Sequence, residues 1–164
     1  CPNSAITVQK KISAVNYEVC TGCGKCLRVC QTHAIDFNWF VEVPSFMERL
    51  TEYALGAISG KKDRVGFFNF LLNITPDCDC VPWSDAPLVP DIGILASRDP
   101  VAIDQASFDL VNSQRGIENT LLKKNQKPGQ DKFQGVWEST LGHIQVEYGS
   151  MIGLGNREYK LIEV

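Results

Sequence analysis

Eleven residues constrain this chain more than any others: Cys20-Thr-Gly-Cys23-Gly-Lys-Cys26-Leu-Arg-Val-Cys30. The spacing is C-x2-C-x2-C-x3-C, a ligand run for a four-iron, four-sulfur cluster. Three thiolates so spaced let a loop wrap one face of a cubane. Gly22 and Gly24 remove Cβ atoms where the backbone must bend tightly and bring N–H groups near the sulfides. Lys25 adds a positive charge beside an anionic cluster. A structural zinc site separates two ligand pairs by a longer insertion, which this run lacks. The run therefore reads as iron–sulfur, ahead of zinc or a redox thiol pair.

A second stretch changes how that run is read. Cys1-Pro2-Asn3-Ser4-Ala5-Ile6 and Cys30-Gln31-Thr32-His33-Ala34-Ile35 share the pattern Cys-x-x-x-Ala-Ile. Each is a cysteine leading through a turn into a short strand. In two-cluster ferredoxins a run ends in Cys-Pro, and its last cysteine ligates the other run's cluster. On that rule Cys1, Cys20, Cys23 and Cys26 complete one cluster, and Cys30 serves a second whose other ligands lie elsewhere. The alternative places Cys20, Cys23, Cys26 and Cys30 on a single cluster. One departure bears on Cys30: Gln31 follows it where the ferredoxin run has proline, which alters the turn.

Composition excludes several function classes. Apolar residues make up 44% and charged residues 21%, a balance suited to a soluble chain that buries a core. The net charge of −3 indicates neither a nucleic-acid binder nor a membrane-surface protein. Charge is unevenly spread, at about +2 over residues 1–40 and about −5 over 41–164. No apolar run approaches the roughly 20 residues needed to span a bilayer. Seven cysteines in clusters are metal-ligand usage, not a secreted disulfide framework, so the expected setting is a reducing cytoplasm. The chain opens on Cys1-Pro2 without an initiator methionine, and the expectation is a fragment whose upstream part is missing.

Read in order, residues 1–40 predict a ferredoxin-like segment. Ala5–Val8 and Ile12–Asn16 are short strands about a Gln9-Lys10-Lys11 turn, and Ala34–Phe37 is a closing strand. Residues 41–164 predict the C-terminal part of an α/β domain with a partial sheet, giving an α+β chain overall. Pro44 marks the boundary, and Ser45 with Glu48 forms a capping box. The helix that follows sets Phe46, Leu50, Tyr53, Ala57 and Ile58 on one face and ends at Gly60. Lys61-Lys62-Asp63 is then a solvated turn. Val65–Ile74 reads as a strand covered on both faces, and Ile92–Ala96 as a second. Asp99 before Pro100 caps a helix that Gly116 stops. Phe133 to Tyr148 keeps helical spacing, and Tyr159–Val164 alternates as a last strand.

Two further constellations carry potential chemistry. Cys78-x-Cys80, flanked by Asp77, Asp79 and Asp85, lies on a loop holding four of the eight prolines. Placed after a buried strand, the usual position of an α/β site, the pair can bind a metal or act as reactive thiols. The plainer reading is a packed loop with inert thiols. Ser97, Arg98, Asp99 and Asp104 sit at a strand-to-helix junction that could hold an anion, although capping by Asp99 is the favoured reading. His33 and His143 lack spaced partners, and Gly153-x-Gly155 is too short for a phosphate loop.

Several stretches together resemble a known family. They are Asn73-Ile-Thr75-Pro76-Asp77-Cys78-Asp79-Cys80, Trp83-Ser84-Asp85-Ala86-Pro87, Val89-Pro-Asp91-Ile-Gly93-Ile-Leu-Ala96-Ser97-Arg-Asp99-Pro100-Val-Ala-Ile-Asp104, and Gly153-Leu-Gly155-Asn-Arg157-Glu-Tyr159. They are similar to iron–sulfur members of the "domain of unknown function 362" family, over nearly the whole chain. The resemblance implies a two-cluster ferredoxin segment, an α/β portion upstream of it, and a redox role with no fixed substrate. It assigns Cys78 and Cys80 no role.

The expected function is therefore single-electron transfer through one 4Fe-4S cluster, with two clusters in the intact protein and a redox protein as partner. In that setting the chain could be a ferredoxin-type oxidoreductase component. The rivals are a binding protein with a structural cluster, and an enzyme using Cys78 and Cys80.

Overall fold

Around Lys10 and Lys11 the chain turns back on itself. β1 (Ile6–Gln9) and β2 (Ile12–Val15) pair antiparallel, with Ile6 opposite Val15 and Gln9 opposite Ile12. Both turn residues have positive φ, 49° at Lys10 and 70° at Lys11. Such a turn matches the twist of the flanking strands, and lysine adopts it at a cost of about 1–2 kcal/mol per residue. The computed structural model describes residues 1–36, 43–61, 64–78, 80–83 and 85–164. By its contacts the chain divides into two units, Cys1–Trp39 and Phe40–Val164.

The first unit adds one short helix, α1 (Lys25–Val29), which carries Cys26. The closing strand expected over Ala34–Phe37 is absent from Ala34 to Asp36, and Phe37 lies outside the described residues. So do Phe40, where the segment was expected to end, and Lys62, Asp63, Asp79 and Ser84 of the motifs above.

The second unit contains α2 (Val43–Ile58), β3 (Phe67–Leu71), β4 (Gly93–Ser97), α3 (Pro100–Ser113), α4 (Lys132–Val136) and α5 (Gly142–Met151). Helices with small antiparallel sheets make the chain α+β. β3 and β4 pair antiparallel, with Phe67 opposite Ser97, Asn69 opposite Leu95 and Leu71 opposite Gly93. A parallel neighbour needs a long crossover, and the described residues of the connecting loop contain no helix to make one. One sheet face packs on α3. The other points outward, with Phe68 65% and Phe70 63% exposed, so β3 is not covered on both faces. The core sits at one end of this layer, where Leu71, Leu88, Val89, Val111 and Leu122 cluster with Phe133 and Val136.

Four other expectations change. α2 begins at Val43, so Ser45 lies inside the first turn and not at the cap, and Pro44 stands within the helix. Phe46, Leu50 and Tyr53 face outward, while Val43 and Thr51 are buried. The less exposed stripe runs instead through Val43, Met47, Thr51, Leu55 and Ile58. α5 packs against α2 where Gly149 stands so close that an added Cβ would lie 3.3 Å from Thr51 Cγ2. The helical spacing from Phe133 to Tyr148 is split, because α4 ends at Val136 and α5 starts at Gly142. Tyr159–Val164 forms no strand.

Between α3 and α4 a long loop is locked from inside. Leu122 is fully buried between Gly116 and Gly135, where added Cβ atoms would come within 2.5 Å and 2.6 Å of its methyls. Lys132 is fully buried as well. Its Nζ donates to the backbone carbonyls of Asn112 at 3.1 Å, Lys127 at 2.8 Å and Gln130 at 2.9 Å. A cation thus sits against the last turn of α3, where the helix dipole favours it, and burial pushes the amine below its ordinary range.

Candidate metal centre and the Cys78–Cys80 loop

The sequence repeat of the first unit is a structural repeat. After Cys1, Ser4 N donates to the Cys1 carbonyl at 3.3 Å and Ser4 takes φ 52°. After Cys30, His33 N donates to the Cys30 carbonyl at 3.2 Å and His33 takes φ 50°. In each turn the next amide reaches the sulfur: Ala5 N donates to Cys1 Sγ at 3.4 Å, and Ala34 N to Cys30 Sγ at 3.2 Å. A non-glycine residue at positive φ is strained and persists where its surroundings fix it. Here the same strain occurs twice and aims the same donor at a sulfur. Donors of this kind favour thiolate over thiol. The Cys30 thiol is accordingly held below its ordinary range, first by the Thr32 hydroxyl and then by the Ala34 amide.

The main run is bent as its glycines require, with φ 67° at Gly22 and 68° at Gly24. Gly24 forms the N-cap of α1, and Cys30 its C-cap, donating to the Cys26 carbonyl at 3.1 Å. Cys20 N donates to the Asn16 carbonyl at 3.0 Å, which ties the run to the end of β2. Asn3 Nδ2 donates to Thr21 Oγ1 at 3.0 Å, joining the Cys1 turn to the loop that starts at Cys20. Cys1, Cys20, Cys23, Cys26 and Cys30 are all free thiols; the first three are exposed and the last two half-buried. They share one unit, but no three His, Cys, Asp or Glu side chains among the described residues converge to hold a metal ion. The donor chemistry fits an iron–sulfur cluster: soft thiolates, sulfur-directed amides and a loop without Cβ atoms at its bends. The five sulfurs themselves do not converge.

Cys78 and Cys80 are joined as a disulfide with a Cα separation of 5.3 Å. Both are exposed. The loop bearing them is pinned on either side. Leu88 N donates to the Ile74 carbonyl at 2.8 Å, and Asn73 N to Asp91 Oδ1 at 2.7 Å. Thr75 Oγ1 donates to the Asp77 carbonyl at 3.0 Å, and Trp137 Nε1 to Asp77 Oδ1 at 3.0 Å. Asp77 is thus engaged by an indole.

The junction of Ser97, Arg98, Asp99 and Asp104 is structural. Asp99 Oδ1 accepts from Val101 N and Ala102 N at 2.9 Å each, and Oδ2 accepts from Asn156 N at 2.8 Å. The helix N-terminus is therefore filled by its own carboxylate. Gly155 belongs to the same arrangement, since a Cβ there would overlap Asp99 Oδ1. Asp104 accepts from Asn69 Nδ2 at 3.0 Å and from Gln145 Nε2 at 3.1 Å, bridging β3, α3 and α5. His33 lies in the Cys30 turn, and His143 is half-buried in α5.

Sequence reading missed one further polar group. Arg157 Nε donates to Gln105 Oε1 and Tyr159 OH to Asp109 Oδ2, both at 2.9 Å, clamping the tail onto α3. The partners are about 50 residues apart, so no local pattern marks them.

The fold and its cysteines define a small α+β chain with a thiol-rich N-terminal unit. A family model described as "domain of unknown function" (DUF362) matches residues 11–109. The chain belongs to that family. No curated protein and no solved structure matches it. Among the described residues no helix is long and apolar enough to cross a membrane.

Proposed function

We propose that the first unit binds one 4Fe-4S cluster through Cys1, Cys20, Cys23 and Cys26 and passes single electrons to a redox protein. Cys30 is then a ligand to a second cluster completed by residues outside this chain, and the protein works in a reducing, cytoplasmic setting. The cluster, when bound, supplies a centre that changes charge by one electron. The chain's own residues direct amides at the sulfurs and hold the loop open at Gly22 and Gly24.

One observation carries this reading: the paired turns in which Ala5 N and Ala34 N donate to Cys1 Sγ and Cys30 Sγ. A lone run would need only one such turn. Two equivalent turns favour the exchanged pairing, and the Asn3–Thr21 bond, which ties the Cys1 turn to the Cys20 loop, favours Cys1 as its fourth ligand. Hydrogen bonds to cluster sulfurs are among the levers that set a cluster's potential.

The test is iron and sulfide analysis of the anaerobically reconstituted chain, with EPR before and after dithionite. We expect one reducible cubane. Cys1→Ser should abolish it and Cys30→Ser should leave it. The opposite pattern would move the site to Cys20, Cys23, Cys26 and Cys30. A cluster that binds but cannot be reduced reversibly would reject electron transfer.

A further inference from the structure

The structure assigns the Cys78–Cys80 pair to reversible two-electron thiol–disulfide exchange with a dithiol partner. The bond closes a loop of three residues, since the sequence separation is two. Chain-entropy stabilisation by a crosslink grows with loop length, so a bond this short contributes the least a disulfide can. It joins no distant elements. Both residues are exposed, where a structural staple would be shielded from exchange. The loop base, by contrast, is held on both sides by Leu88 N to Ile74 O and by Trp137 Nε1 to Asp77 Oδ1. Opening the bond therefore frees two thiols two positions apart on a fixed platform, without unfolding what lies beneath. All five other cysteines are free, which leaves this pair as the chain's disulfide among the described residues.

One thiolate of the dithiol attacks a sulfur of the pair; the Cys78–Cys80 bond breaks and a mixed disulfide forms. The second thiol of the partner attacks that mixed disulfide, releasing the chain. Two electrons and two protons pass to Cys78 and Cys80, and the partner leaves as a disulfide. The reverse reaction reduces a disulfide. This exchange does not require the cluster and is read from the state of one peptide.

The full chain is equilibrated anaerobically in mixtures of reduced and oxidised dithiothreitol, alkylated, and mapped by peptide mass. The peptide of Cys78 and Cys80 should pass from closed to doubly alkylated in one two-electron step, tenfold in ratio per about 30 mV. Far-UV circular dichroism should stay unchanged across that step. With Cys80→Ser, glutathione disulfide should leave one glutathione on Cys78, whereas the unsubstituted chain should return to the closed pair. A pair that opens only when the chain unfolds would make it a staple and overturn the proposal. Free thiols throughout the titration, no adduct on Cys78, or loss of iron from the Cys78→Ser chain would each overturn it as well.

Discussion

Ile12 in the first unit is 72% exposed, and Leu122 in the second is fully buried. The two residues represent two ways of holding a chain together. In Cys1–Trp39 the one buried apolar side chain among the described residues is Ala5, while Val8, Ile12, Tyr17 and Val29 face solvent. What orders this unit is a hairpin, two strained turns and amides aimed at sulfur. Segments below roughly 40 residues seldom bury enough surface to fold unaided and are commonly completed by a metal or disulfides. Phe40–Val164 instead closes a core around Leu71, Leu88, Val89, Val111 and Leu122. The first unit thus lacks an apolar core among its described residues, whereas the second is held by apolar packing.

The comparison can be broken by substitution. Leu122→Ala should cost about 2–5 kcal/mol in a denaturant titration, because Gly116 and Gly135 leave nothing to fill the cavity. Ile12→Ala should stay within about 0.5 kcal/mol. Equal costs would mean the first unit has a core of its own. Smaller, and confined to the second unit, is the loss from Asp99→Ala. It removes the acceptor of Val101, Ala102 and Asn156 amides and should cost about 1–2 kcal/mol.

The first unit should respond instead to its turn. Replacing Lys10 and Lys11 by Asn and Gly relieves two side chains of positive φ. Protection of the β1–β2 amides should rise by roughly 1 kcal/mol in hydrogen exchange. No gain would mean the turn is held by contacts other than its own backbone.

The smallest effect is at alkaline pH. Burial, and then the bond to Asp109, raise the Tyr159 hydroxyl above its ordinary range. The folded chain therefore keeps that proton longer than the unfolded chain does. The contribution is complete below about pH 10 and declines as pH rises through the folded value. Thermal melts should show a steeper alkaline decline for the unsubstituted chain than for the Tyr159→Phe variant. Identical profiles would detach the decline from this clamp.

Local chemistry was legible in the sequence where its signal is local. Asp99-Pro100 gave the cap, Gly22 and Gly24 the bends, and the Cys-x-x-x-Ala pattern the paired turns. What failed depended on partners far along the chain. The exposed stripe of Phe46, Leu50 and Tyr53 has the same periodicity as a buried one, and the helix that packs on the other stripe, α5 with Gly149 near Thr51, lies far along the chain. β3 reads as covered on both faces because it is apolar at most positions, but α3 packs on one face and leaves Phe68 and Phe70 exposed on the other. The bond between Cys78 and Cys80 could not be distinguished from a ligand pair by spacing, since both require two thiols at short range.

We propose that the first unit owes its order to iron and that the second does not. Hydrogen exchange on the whole chain, with the cluster reconstituted anaerobically and again after chelation, tests it directly. Amides of β1, β2 and the Cys30–Ala34 turn should lose protection when iron is removed, while those of α3, β3 and β4 should keep theirs. Equal protection of residues 1–36 with and without iron would contradict it.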